Sequence, residues 1–243
     1  MKVIRSKDPQ ELGTAAGKAA AALIRAAINE KGSANVILAT GTSQFETIRQ
    51  LITESIDWSK VNMFHLDEYI ALPITHPASF RKYLKERFLE KVPSLKAVYL
   101  ISGETDPQAE CERLSALIKA HPIDVALVGV GENGHLAFND PPADFDTTTP
   151  YIIVNLDTAC RQQQMNEGWF PSLTDVPLQA ISMSVQQIMQ SKHIICSVPG
   201  ERKAQAVKDS LEQPVSNLFP ASILQQHKDC IFYLDEAAAS KLT

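Results

Sequence analysis

The chain has 243 residues, 44% of them hydrophobic and 21% charged, an ordinary globular composition. Its net charge of −5 excludes the basic surface that a nucleic-acid partner calls for. No apolar run approaches the roughly 18 residues of a membrane helix, and the N-terminus lacks the apolar core of a signal peptide.

No linker, repeat or low-complexity block divides the sequence, so one domain over 1–243 is expected. The four cysteines are scattered without a paired spacing, which implies reduced thiols and a cytoplasmic location. The six histidines are equally dispersed, and no metal site is expected.

A helix is expected over 9–31, with Asp8 as N-cap, Pro9 in the first turn and Gly32 closing it. Residues 35–39 read as a buried strand. Thr40, Gly41, Thr42 and Ser43 then lead into a helix ending near Leu51. A small polar turn at a helix start suits an anion, because free amides and hydroxyls converge there. The plainer alternative is that Thr42 or Ser43 only caps the helix.

Residues 61–65 read as a strand that stops at Asp67 and Glu68, two acids just past a strand end. A helix follows over 78–91 with a charged, solvated outer face. Residues 97–101 read as a strand and 107–120 as a helix. The run from Ile123 to Val128 is apolar and β-branched, a buried strand.

That strand breaks into Gly129, Gly131 and Gly134, three of the ten glycines in the chain, and then presents Asn133, His135 and Asp140. The three glycines fit a dinucleotide-binding pattern. The double proline Pro141–Pro142 follows too closely for the helix that such a site requires.

Residues 151–155 read as a strand, and Asp157 as the cap of a helix through Gln164. Residues 168–171 read as a turn under two aromatics. Strands are expected at 180–185, 193–198 and 230–234. Lys203 falls in the first turn of a helix opening near Pro199, where a cation opposes the dipole. Alternating short strands and helices imply an α/β fold, a doubly wound, mostly parallel sheet with helices on both faces. Its strand ends would gather polar groups suited to acid–base chemistry on a small phosphorylated substrate.

Two long motifs carry a resemblance. Phe64-His-Leu-Asp-Glu-Tyr-Ile-Ala-Leu-Pro73 with His76-Pro77, and Gly129-Val-Gly-Glu-Asn-Gly-His-Leu-Ala-Phe-Asn-Asp-Pro141, resemble the glucosamine-6-phosphate deaminases (isomerases). Weaker similarity covers nearly the whole chain. The resemblance implies conversion of glucosamine 6-phosphate and water to fructose 6-phosphate and ammonia, without metal or organic cofactor. It implies Asp67 as the base that moves a proton from C2 to C1, and His135 as the group that opens the sugar ring. Asn133 and Asp140 would orient His135. Thr40, Gly41, Thr42, Ser43 and Lys203 match phosphate-binding positions, with Glu68 and Gly134 also at the substrate.

The same resemblance marks departures. Asp140 stands where many members have Glu. Gln164 stands where typical members have a phosphate-binding arginine, and Arg161, one helical turn earlier, is the candidate replacement. Pro150 and Ile152 occupy basic positions of allosteric members, and a C-terminal extension of those members is lacking. No activation by N-acetylglucosamine 6-phosphate is therefore expected. Residues 154–177 correspond to a mobile lid. The family includes monomers and hexamers, so a homo-oligomer is one expected state. Galactosamine 6-phosphate is an alternative substrate and 6-phosphogluconolactonase an alternative activity. A sugar-phosphate sensor is the non-enzyme alternative.

Overall fold

The computed structural model describes residues 2–243. β1 (Lys2–Ser6) precedes α1 (Pro9–Lys31). Asp8 accepts a hydrogen bond from the Glu11 amide and starts the helix; Gly32, at φ 79°, ends it. Glycine adopts that left-handed conformation without a Cβ penalty. β2 (Ala34–Leu38) and β3 (Val61–His65), with α2 (Phe45–Leu51) between them, are buried at every position. Continuous burial marks strands covered on both faces.

β4 (Asp67–Tyr69), α3 (Phe80–Leu84), β5 (Ala97–Tyr99) and α4 (Pro107–Lys119) complete the first half. The second half adds β6 (Val125–Val128), β7 (Tyr151–Asn155), α5 (Thr158–Asn166) and β8 (Gln179–Met183). It ends with α6 (Val185–Met189), β9 (His193–Val198), α7 (Ala204–Glu212) and β10 (Cys230–Asp235).

Seven strands form a parallel sheet in the order β1-β10-β9-β6-β2-β3-β5. Val36 and Leu38 pack in one core with Leu12 and Ile24 of α1, while Ile37 packs in another with Leu114 and Ile118 of α4. That alternation is the two-residue period of a strand buried on both sides. The sheet is doubly wound, as expected. From β2 the chain runs outward through β3 and β5, then returns to the other flank of β2 with β6. Such a reversal opens a crevice at the carboxyl ends of the two strands.

The expectation of a single sheet is corrected by a second one, antiparallel, in the order β4-β8-β7. After the buried Tyr151, its β7 alternates between partly exposed and exposed positions, unlike β2 and β3. Asp67 and Glu68 therefore lie on a strand rather than in a loop. Beneath this sheet Tyr69 packs with ring centroids 5.2, 5.1 and 5.4 Å from Phe80, Phe138 and Phe170. The helix expected over 78–91 is shorter, and α3 widens into a π turn over Lys85–Leu89. All four cysteines are free and buried. Among the described residues no helix is long and apolar enough to cross a membrane.

Candidate active site

The crevice begins at the end of β2. Gly41, at φ 86°, starts a short 3-10 turn over Thr42–Gln44 that runs into α2. Neither Thr42 nor Ser43 is a cap: Gly41 holds that place for the turn and Gln44 for the helix. The Tyr83 hydroxyl donates to the Gly41 carbonyl at 3.0 Å. At the end of β6, a Cβ on Gly129 would sit 2.9 Å from Ser43 Oγ. The two strand ends are thus pressed together.

The loop after β6 is wound tightly. Gly131 N–H donates to the His135 carbonyl and Gly134 N–H to the Gly131 carbonyl, both at 3.0 Å. A Cβ on Gly131 would lie 2.2 Å from the His135 ring, so a side chain there would displace the imidazole. No helix opens at Gly134, which removes the dinucleotide reading.

His135 N–H donates to Asn133 Oδ1 at 3.1 Å, and Asn133 Nδ2 donates to Asp140 Oδ1 at 3.0 Å. Asp140 Oδ1 lies 3.2 Å from His135 Nδ1. The pair is close but poorly aligned, and Nδ1 makes no hydrogen bond. Burial alone would raise the Asp140 carboxyl; the His135 ring and the Asn133 amide outweigh it and hold the group below the ordinary carboxylate value. Asp140 is therefore a carboxylate at neutral pH.

Asp67 is 7% exposed. Burial, and then the charge of Glu68, push its carboxyl well above the ordinary value. A base with a raised pKa binds a proton more strongly once ionised. His65, at the end of β3, accepts the Ile101 amide at 2.8 Å, and burial lowers its pKa to about 3. It is neutral and structural.

One cleft gathers Thr40, Gly41, Thr42, Ser43, Asp67, His135 and Lys203. Lys203 occupies the N-cap position of α7 and is 8% exposed. Burial lowers its pKa, against the pull of Glu167 and Glu132. Across the cleft, α5 and its end contribute Gln163, Gln164 and Glu167. Gln163 accepts the Glu132 amide at 3.0 Å and donates to Glu167 at 2.8 Å, while Gln164 accepts the Tyr69 hydroxyl at 2.9 Å. Gln163 and Glu167 escaped the sequence reading. They lie four residues apart, on one face of a helix, and that spacing was the available signal.

Three expected substrate contacts are corrected. Glu68 is 0% exposed and turned away from the cleft. Its carboxylate accepts from Ser79 Oγ at 2.8 Å, the Arg81 amide at 2.9 Å and Arg81 Nε at 3.2 Å. Neighbouring strand residues point to opposite faces, so Asp67 and Glu68 diverge. Arg81 is accordingly buried, not part of a solvated face.

Gly134, at φ 85°, turns the loop toward Pro220 and Phe219 and lies outside the cleft lining. Arg161 lies outside the cleft lining. Its guanidinium donates to the Leu173 carbonyl at 2.6 Å and to the Val176 carbonyl at 3.1 Å, tying α5 to the segment that follows it. Asn133 and Asp140 stand behind His135 rather than in the lining. Cys160 of α5 joins them: its Sγ, an Asp140 oxygen and a His135 ring nitrogen lie within 4.8 Å of one another.

A family model for glucosamine-6-phosphate isomerases/6-phosphogluconolactonase matches residues 7–233. Glucosamine-6-phosphate deaminases of Lactobacillus delbrueckii subsp. bulgaricus and Streptococcus equi subsp. equi are 37% and 36% identical over 243 residues, 100% of this chain and 100% of theirs. A solved monomeric glucosamine-6-phosphate deaminase superposes with a TM-score of 0.90 at 35% identity, covering 99% of each chain. The 6-phosphogluconolactonase of Trypanosoma brucei shares the fold, with a TM-score of 0.79 at 21% identity over 100% of this chain and 98% of its own. Fold, cleft and full-length similarity agree: the chain belongs to the family of glucosamine-6-phosphate isomerases and 6-phosphogluconolactonases.

Proposed function

We propose that this protein is a glucosamine-6-phosphate deaminase, converting glucosamine 6-phosphate and water to fructose 6-phosphate and ammonia. The observation that carries the reading is the meeting of Asp67 and His135 in one cleft with the Thr40–Ser43 turn and Lys203. The turn and Lys203 hold the phosphate by amides, hydroxyls and one buried cation. The sugar then lies with its ring toward His135.

His135 passes a proton between the anomeric hydroxyl and the ring oxygen, which opens the ring. Asp140 stabilises the imidazolium form, and Asn133 fixes the loop. Asp67 takes the C2 proton of the open aldose and returns it at C1, while the C1 oxygen gains a proton and the C2 amino group gives one up. The imine left at C2 is hydrolysed, releasing ammonia. An aldose–ketose shift of this kind needs one base in reach of two adjacent carbons, and a separate group to open the ring.

Gln163, Gln164 and Glu167 border the cleft from the segment 154–177, which acts as a lid. Protease cleavage within 154–177 slows when a sugar-phosphate inhibitor is bound; equal rates with and without it would remove the lid. The four free, buried cysteines suit a reducing cytoplasm, where the protein acts as a monomer or homo-oligomer.

The test is fructose 6-phosphate formation from glucosamine 6-phosphate, measured beside galactosamine 6-phosphate and 6-phosphogluconolactone. Turnover of glucosamine 6-phosphate above the other two supports the reading. Faster lactone hydrolysis, or binding without turnover, would replace it with a lactonase or a sensor.

A further inference from the structure

We propose that His135, Asp140 and Cys160 form a zinc site behind the cleft, and that Zn²⁺ bound there arrests the enzyme. The three ligand atoms lie within 4.8 Å of one another. His135 is 9% exposed, and its Nδ1 lies 3.2 Å from Asp140 Oδ1 without an aligned hydrogen bond, so two of the three ligand atoms already face one another. Cys160 is 1% exposed and sits in the first turn of α5, which rests on Asp140 through the Asp157 amide at 3.3 Å.

Thiolate, imidazole and carboxylate are zinc ligands, and the sulfur and nitrogen select against Mg²⁺ and Ca²⁺. Tetrahedral zinc with ligand bonds of about 2.0–2.3 Å places its ligand atoms roughly 3.5 Å apart. Closing even the outer limit of 4.8 Å to that distance takes a movement of about 1 Å by the first turn of α5. Asp140 and the Cys160 thiolate together balance the two charges of the ion. The buried unit is then neutral, which lowers the penalty for placing it out of water. Binding releases the Cys160 thiol proton to solvent as the Zn–S bond forms, with no change of oxidation state.

The consequence for turnover follows from the imidazole. With Nδ1 on the metal, Nε2 keeps its proton and has no second site through which to exchange it. Ring opening stops while the phosphate turn and Lys203 are untouched. Cys160 lies outside the cleft lining and takes no part in the reaction, so its loss removes the zinc effect alone.

The test loads the full chain with equimolar ZnCl₂ under a phosphine reductant, desalts it and measures bound zinc. A parallel sample with Co²⁺ is read for a thiolate-to-cobalt absorption band. The expected result is one zinc per chain, a cobalt band, and ammonia release slowed at least about tenfold and restored by EDTA. Cys160→Ser keeps the metal-free rate, loses the band and binds zinc at least about tenfold more weakly. Cys160→Ala repeats the comparison if the serine variant does not fold. No retained metal in the wild type, or a cobalt band that persists without Cys160, would overturn the site. Both binding readouts are independent of the substrate, so their failure is distinct from failure of the deaminase reading.

Discussion

Arg81→Met removes the buried ion pair that fixes β4 beside the cleft, and with it a pair at 3.0 Å to the exposed Glu104, whose contribution is small. Glu68 is 0% exposed and accepts from the Tyr69 amide at 3.0 Å, the Phe80 amide at 3.2 Å, the Arg81 amide at 2.9 Å and Ser79 Oγ at 2.8 Å. Arg81 supplies the only cation among these partners, and its Nη2 also donates to the Leu72 carbonyl at 2.9 Å. Methionine keeps the apolar stem but leaves a buried carboxylate without its counter-charge. Breaking a buried pair by removing one partner costs about 3–5 kcal/mol. Four surviving donors place this case near the lower figure, about 3 kcal/mol.

With a urea slope of about 3 kcal/mol per molar, the upper end of the usual range for a chain this long, the midpoint falls by about 1 M. Tryptophan fluorescence reads the transition, since Trp58 is only 3% exposed. An unchanged slope would show that stability alone has moved. A loss under about 1 kcal/mol, the scale of exposed pairs, would refute the buried-pair argument. The variant also leaves Glu68 less neutralised beside Asp67, so the acid limb of activity moves to higher pH.

Four further outcomes follow. Because burial and Glu68 raise the Asp67 carboxyl, activity grows as pH climbs through a value above the ordinary carboxylate range, and a limb near pH 4 in kcat/KM would contradict this. The same shift gives Asp67→Asn a stability advantage. The raised folded pKa means that the wild type loses relative stability as pH rises from about 4 through that value, whereas asparagine does not titrate. Urea midpoints should therefore favour Asp67→Asn at pH 8 and converge below about pH 4; the opposite order would show that Asp67 is stabilised as an anion. Lys203→Met should raise KM for sugar phosphates by about 10–100-fold, from the roughly 1.5–3 kcal/mol of a charged hydrogen bond, with a smaller effect on kcat. Finally, N-acetylglucosamine 6-phosphate should not accelerate the enzyme, since Pro150 and Ile152 offer it no cation; a rate increase would refute that.

The elements with local signals were legible in the sequence. Asp8, Gly32 and Asp157 mark helix ends by the chemistry of their own side chains or backbone, and the structure uses each of them so. Six of the seven parallel strands announced themselves as short apolar runs; β1, a largely uncovered edge strand with Lys2 and Arg5 in its five residues, did not. The second sheet was not legible. β4 has three residues, too few to show a period, and its partner β8 lies more than a hundred residues away.

Long-range geometry hid the rest of the site. Arg161 and Gln164 share a helix face, but only the distant carbonyls of Leu173 and Val176 decide which way the guanidinium turns. Glu68 read as a ligand beside Asp67 because nothing local reveals that Arg81 folds inward to meet it. The Cys160 cluster joins two segments that no spacing rule connects. The groups at the ends of β2 and β6 were found because glycines and hydroxyls concentrate there in sequence as well as in space.

The most direct measurement is ammonia release from glucosamine 6-phosphate by the wild-type chain and by Asp67→Asn. Release by the wild type that falls by at least about a hundredfold in the variant, with sugar-phosphate binding retained, is the predicted result. Equal release from both would remove Asp67 as the base. No release from the wild type, in metal-free buffer, would contradict the deaminase function itself.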